Sequence, residues 1–250
     1  MKNTFYVLTV LFFLTSCSAK EDHVIANVPE ASGICYSKHS DTLFVANDEG
    51  RIYELSREGK ILRKKRLGDY DLEGVACDEK KAQLYFAVEG SDNILVVKQK
   101  RLKVIKKINI NREYKGRTLL VKDKKRGLEG ITMDDKYFYL SNQSERKYPR
   151  KDPSVIVKID RKVKKKSDIK DMIDHKQLDV AGLEMHNGYL YMVSDTDNKL
   201  IKYNIRRDKV VWVKALPDFA QEGVTFDDQG YIYFADDNGR VLKYPESDFL

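Results

Sequence analysis

With 250 residues, 42% of them hydrophobic, the chain is long enough for one sizeable core, and a repeat that fills most of it leaves no room for a second domain. A net charge of +7 and a pI near 9.0 would suit nucleic acid as a partner. An exported chain, which the N-terminus leads one to expect, rarely meets nucleic acid, and anionic envelope polymers, phospholipid surfaces or simply a solvated lysine-rich exterior are the expected counterpart of the charge.

Residues 1–16 read as a signal peptide: Lys2, an apolar run over 5–14, then Leu14-Thr15-Ser16-Cys17. The run is about half the roughly 20 residues that span a bilayer, so it suits a cleavable leader better than a transmembrane helix. Leu14-Thr15-Ser16-Cys17 is similar to the lipobox of bacterial lipoproteins, where the thiol receives a diacylglyceryl group and the chain is cut just before it. Cys17 is thus expected to be a lipidated N-terminus, 17–23 a tether and 24–250 a domain facing the periplasm. Ser18 in place of Asp favours the outer over the inner membrane. An ordinary secretory signal with a chance cysteine is the alternative.

Beyond the tether one phrase recurs: Ala31-Ser32-Gly33-Ile34, Leu72-Glu73-Gly74-Val75, Leu128-Glu129-Gly130-Ile131, Val180-Ala181-Gly182-Leu183 and Gln221-Glu222-Gly223-Val224. The glycines lie 41 (33 to 74), 56 (74 to 130), 52 (130 to 182) and 41 (182 to 223) residues apart. Such a period, with several strands per unit, predicts a β-propeller. In each unit the phrase opens a first strand, a polar turn follows, and a second strand rich in aromatic and β-branched residues comes next: 43–46, 84–87, 138–141, 190–193 and 232–235. Third strands such as 51–55, 199–203 and 240–244 lead to lysine-rich fourth strands such as 61–67, 102–108 and 210–216, suited to a solvent-facing edge.

The fifth unit runs out after its third strand, whereas Val24-Ile25-Ala26-Asn27-Val28 precedes the first unit unassigned. If that stretch supplies the missing outer strand, the ring closes by backbone pairing. The expectation is an all-β, single five-bladed propeller of four-stranded antiparallel blades. A sixth blade does not fit in the longer intervals.

Cys35 and Cys77 fall on the innermost strands of neighbouring units, two and three residues after the glycine, and so on opposite strand faces. Face-to-face packing of adjacent blades can bring such thiols together; two separate buried thiols are the alternative, and both remain open.

In an antiparallel blade the start of the first strand and the end of the second share one end, so blade-to-blade connections and second-to-third loops crowd one face. The long loops 109–126, 143–154 and 162–179 all fall there, and the early part of the last must also hold an outer strand. The same face receives the residue before each glycine, a carboxylate in Glu73, Glu129 and Glu222, and the ends of second strands add Asn47, Asp48, Glu89, Asn142, Gln143, Asp195, Asp236 and Asp237.

Carboxylates converging on one axis repel one another unless compensated, which points to a hard, oxygen-liganded ion such as Ca²⁺ on Glu73, Glu129 and Glu222, with Asp195 and Asn142 as further binding residues. The competing structural role is acceptance of backbone N–H bonds from the next blade.

Basic segments at 122–126 and 145–151 add cations to the rim, as solvated loops or as part of an anion site. Other chemistry is thin: the chain has no Gly-x-Ser-x-Gly elbow, Cys-x-x-Cys or Walker loop. Of His23, His39, His175 and His186, the second and fourth fall in surface turns on the opposite face, and only His175 can reach the decorated one.

The series Ala31-Ser32-Gly33-Ile34-Cys35-Tyr36, Asp71-Leu72-Glu73-Gly74-Val75-Ala76, Gly127-Leu128-Glu129-Gly130-Ile131 and Val180-Ala181-Gly182-Leu183 resembles the SdiA-regulated, YjiK-like propellers of bacterial envelopes, over roughly 28–244. The resemblance implies a membrane-associated propeller and no particular reaction. A more distant similarity runs to β-propeller phytases and gluconolactonase-like hydrolases, from which the chain departs by lacking an Asp-Thr-Glu-Ala-Asp-Asp phrase and by carrying Ser32 and Ala181 where other units have Glu. The leading expectation is a lipid-anchored module that binds an envelope ligand or protein, and the rival is a metal-dependent lactonase or phosphoesterase.

Overall fold

The computed structural model describes residues 23–91, 93–121, 127–163, 165–217 and 220–250. The signal peptide, Cys17 with its tether up to residue 22, and the basic run 122–126 lie outside the described residues.

After β1 (Val24–Asn27), blade 1 comprises β2 (Ala31–Ser37), β3 (Thr42–Asn47), β4 (Arg51–Leu55) and β5 (Ile61–Arg66). Blade 2 comprises β6 (Leu72–Asp78), β7 (Gln83–Val88), β8 (Asn93–Lys98) and β9 (Lys103–Ile110). A small hairpin, β10 (Glu113–Tyr114) and β11 (Arg117–Thr118), then leads to blade 3: β12 (Leu128–Met133), β13 (Tyr137–Asn142), β14 (Val155–Asp160) and, after the short β15 (Lys166–Ser167), β16 (Ile169–Ile173). Blade 4 is β17 (Val180–His186), β18 (Tyr189–Ser194), β19 (Lys199–Asn204) and β20 (Lys209–Ala215). Blade 5 is β21 (Gln221–Phe226), β22 (Tyr231–Asp236) and β23 (Arg240–Pro245), completed by β1.

The closure expected from the sequence is present: β1 pairs antiparallel with β23, Val24 opposite Leu242 and Asn27 opposite Arg240. Backbone bonds from Val28 N–H to Gly239 O (3.0 Å) and from Lys243 N–H to His23 O (2.8 Å) extend the seam. One assignment needs correcting. The early part of 162–179 does not hold the outer strand of blade 3, which is β16; β15 instead crosses to blade 2 and pairs parallel with Asn109 and Ile110 of β9. An exposed strand edge exerts that pull, because its free N–H and C=O groups accept any extended segment within reach.

The core is a set of seams between blades, since each blade is apolar on both faces. Phe44, Leu72, Val75 and Phe86 fill the seam between blades 1 and 2; Tyr85, Ile131, Phe138 and Leu140 that between 2 and 3. Second strands are accordingly buried almost throughout, whereas β5 is exposed at five of its six residues. Two seams carry ion pairs at the end remote from the glycine phrases: Arg57 of blade 1 donates to Asp227 (2.9 Å) and Asp228 (2.7 Å) of blade 5, and Arg161 of blade 3 to Asp78 of blade 2. Cys35 and Cys77 form a disulfide across the first seam, with Cα atoms 5.8 Å apart.

Candidate functional site

The glycine phrases begin the innermost strands, and each is interrupted by a register shift at the residue before the glycine: between Ala31 and Gly33, Leu72 and Val75, Leu128 and Ile131, Val180 and Gly182, and Gln221 and Gly223. A bulge takes one residue off the ladder and re-aims its side chain. The glycines are needed for close approach: a Cβ on Gly74 would lie 2.7 Å from Glu129 O and 2.8 Å from Gly130 Cα, and one on Gly223 would lie 2.9 Å from Gly33 Cα. The five glycines thus bring neighbouring backbones into contact around the axis.

Above this constriction Glu73, Glu129 and Glu222 meet, with one carboxylate oxygen of each within 4.8 Å of the others. Asp71, Glu73 and Glu89 form a second such trio that shares Glu73. Both trios open into a basin of about 330 Å³ lined by Ser32, Asp48, Asp71, Glu73, Glu89, Glu129, Gln143, Glu222 and Asp237. Among these described lining residues there is no lysine or arginine, so carboxylates dominate the local field.

Glu73 and Glu129 are 7% and 6% exposed. Burial holds the Glu73 carboxyl well above the usual carboxylate range, with the charges of Glu222 and Asp71 adding to the effect. Glu129 is raised by burial and then by Glu73. Burial also pushes Glu222 up to about 8, helped by Asp237 and Asp195, and Asp48 up to about 7, helped by Glu30. The hydrogen-bonding neighbours of the two deepest carboxyls are other carboxyls, Glu129 for Glu73 and Glu89 for Glu129. Such a group must share protons or share a cation.

The other candidates sit elsewhere. Asn142 is fully buried and does not line the basin; its amide donates to Asp152 Oδ1 (3.1 Å) and Pro153 O (2.9 Å), holding the base of the loop at 143–154. Asp195 is half-buried beside Asp179 and Asp237, off the lining, and its carbonyl accepts from Gln221 Nε2 at 3.1 Å. His175 is on the expected face but 1% exposed, and burial pushes it down to about 4. His186 ends β17 instead of standing free in a turn; its ring stacks on Phe226 at 4.2 Å, with Nε2 3.2 Å from Glu246 Oε1.

Two residues were not singled out from the sequence. Asp71 precedes a glycine phrase and was visible only as part of it. Glu184 stands two residues after Gly182, where the other units have Cys35, Ala76, Thr132 and Thr225, so an acidic residue in that column was the available signal. Burial pushes Glu184 up to about 8.

Residues 16–238 match the family described as SdiA-regulated. The chain belongs to the SdiA-regulated family. No curated protein matches it in sequence. Among solved structures it is similar to glutaminyl cyclase of Myxococcus xanthus, with a TM-score of 0.65 at 14% identity over 88% of this chain and 94% of that one. It is also similar to hydrazine synthase of Kuenenia stuttgartiensis (TM-score 0.52, 20% identity, 86% of this chain, 58% of that one) and to a streptogramin B lyase (0.51, 14%, 87%, 69%). At these identities the likeness is one of fold, and the reactions in those names do not carry over to a member of the SdiA-regulated family.

Proposed function

We propose that this chain is a lipid-anchored protein of the bacterial cell envelope, held through Cys17 in the outer membrane and facing the periplasm, whose propeller binds a ligand or partner protein at its acidic mouth. A hard divalent cation such as Ca²⁺, on Glu73, Glu129 and Glu222, takes part in that binding. The observation that carries the reading is the convergence of three carboxylate oxygens, two of them from side chains less than 10% exposed, in a basin whose described lining holds no base. Ca²⁺ takes roughly six to eight oxygen ligands, so three carboxylates leave positions for water or for an anionic ligand from the open side. The Cys35–Cys77 disulfide supports an oxidising compartment.

Metal analysis of protein purified without chelator, followed by calcium titration, tests this. One ion per chain is expected, with uptake lost in Glu129→Gln. No uptake at millimolar calcium, with an unmoved thermal melt, overturns it.

Glu222 favours a second reading as a metal-dependent lactonase or phosphoesterase-like hydrolase. It is half-buried at the mouth and pushed up to about 8, in the range where a carboxyl serves as general acid or base near neutral pH. Chelator-sensitive turnover on a panel of lactones, esters and phosphoesters, lost in Glu129→Gln, would put this reading in place of pure binding.

A further inference from the structure

We propose that the outer strand of blade 1 is a contact surface for an anionic phospholipid bilayer, the propeller touching the membrane by the wall between blades 5 and 1 at its end remote from the acidic mouth. The orientation rests on the anchor at Cys17 proposed above; the surface itself does not.

Six large apolar side chains stand exposed among the described residues: Ile61 (45%), Leu62 (49%), Ile105, Val211, Val213 and Leu250. All but Ile105 belong to blades 4 and 1 or to the segment that ends blade 5. Ile61 and Leu62 are adjacent, and Leu62 is the extra residue of a bulge, because Leu55 pairs with Ile61 and Glu54 with Arg63.

Position then distinguishes this pair. The described chain enters the fold at β1, which runs toward the mouth: Asn27 lies opposite Arg240, the first residue of β23 after the mouth-side turn, and Val24 opposite Leu242, further from the mouth. The turn before β5 packs on that entry point: a Cβ on Gly59 would fall on the carbonyl oxygen of Ile25. Ile61 and Leu62 therefore stand beside the start of β1. The six residues 18–23 reach at most about 20 Å, so an anchor at Cys17 holds this wall close to the bilayer.

Charge decides the kind of partner. Lys60 and Lys64 are exposed on either side of the aliphatic pair and have no ion-pair partner among the described residues, with the exposed Glu58 in the preceding turn; further along β5, Lys65 donates to Arg101 O of blade 2 (3.2 Å) and Arg66 pairs with Asp69. Two aliphatic side chains among cations match the interface of an anionic lipid layer, where apolar groups enter and lysines meet headgroups. A second copy of the chain would bring the same cations face to face, and the bulge interrupts the edge that an added strand needs.

The ring closes within Val24–Leu250, so the protein from residue 18 onward can be studied without its anchor. Co-sedimentation with vesicles of equimolar phosphatidylethanolamine and phosphatidylglycerol is expected, with little on phosphatidylcholine. Ile61→Ser combined with Leu62→Ser, and separately Lys64→Glu combined with Lys65→Glu, should each weaken binding by about tenfold or more while the thermal melt and calcium uptake stay unchanged. Absence of vesicle binding, equal binding to phosphatidylcholine, or indifference to both double variants overturns the proposal. So does a concentration-dependent dimer abolished by the same substitutions, which would assign the strand to a second copy. Palmitate incorporation into the full chain and its loss in Cys17→Ser tests the anchor separately, so the two failures are read apart.

Discussion

Thr225 of blade 5 accepts a hydrogen bond from the backbone N–H of Tyr36 in blade 1 at 3.0 Å. Thr132 of blade 3 does the same for Met185 of blade 4, also at 3.0 Å. In both seams the threonine is two residues after the repeat glycine and the donor three after the next, and in the seam between blades 1 and 2 those two places hold Cys35 and Cys77. The disulfide is thus a covalent version of a stitch that other seams make with a hydroxyl.

Replacing both cysteines by alanine should cost about 2–4 kcal/mol, because the bond closes a long loop, 42 residues apart in sequence. Cys35→Thr with Cys77→Ala should recover about 1 kcal/mol of that loss by making the hydroxyl bond. Urea unfolding of the three proteins measures both, and equal midpoints for the two double variants would show that the seams are not equivalent.

The glutamate ring predicts effects of opposite sign with and without metal. Glu73→Gln or Glu129→Gln removes an ionisable group from a crowded buried cluster and so relieves the repulsion among those that remain; in chelator the variant should melt higher than the parent by a few degrees, or about 1 kcal/mol. In millimolar calcium the order should reverse, with affinity down about tenfold or more. Parallel melts in the two buffers check this.

Gly130→Ala is expected to be among the most damaging single substitutions, since its methyl would sit 2.5 Å from Ala181 O and 2.9 Å from the Ser141 hydroxyl. A loss of about 3 kcal/mol or failure to fold is expected. Ser32→Ala, at a ring position without a carboxylate, should shift the melt by less than about 1 kcal/mol.

Glu184 gives a pH dependence separate from the ring. Burial raises it from the ordinary 4.5 to about 8, against the Thr132 hydroxyl and the Met185 N–H, which favour its charged form. The native chain keeps a proton that the unfolded chain loses near 4.5, so stability is highest below that pH, falls as pH rises toward 8 and is flat beyond. Some exposed surface remains on Glu184, so the expected drop is about 2 kcal/mol. Glu184→Gln should flatten this part of the profile, as read by melts from pH 5 to pH 9 at about 0.15 M salt.

The repeat made the architecture legible because one steric need, a backbone contact at the axis, recurs five times and admits only glycine. Closure by β1 was legible for a related reason: an unfinished last unit and an unassigned first strand complete each other. The meeting of Glu73, Glu129 and Glu222 followed from their shared place in the repeat. Asn142 shows the limit, because a strand end at the right face can spend its amide on its own loop. His186 shows another, since stacking on Phe226 is a contact between blades that spacing along the chain does not encode. The crossing of β15 to blade 2 depended on a free edge far away in sequence.

The pairing of β1 with β23 also sets an order of assembly. Among the described strands the first has its only sheet partner in the last, so blade 5 is the one blade a growing chain cannot finish. Blades 1 to 4 can form in turn as their strands emerge, yet blades 1 and 4 each lack a neighbour until the C-terminus arrives. Both ends of the propeller must therefore be available to each other in one compartment before the ring can close.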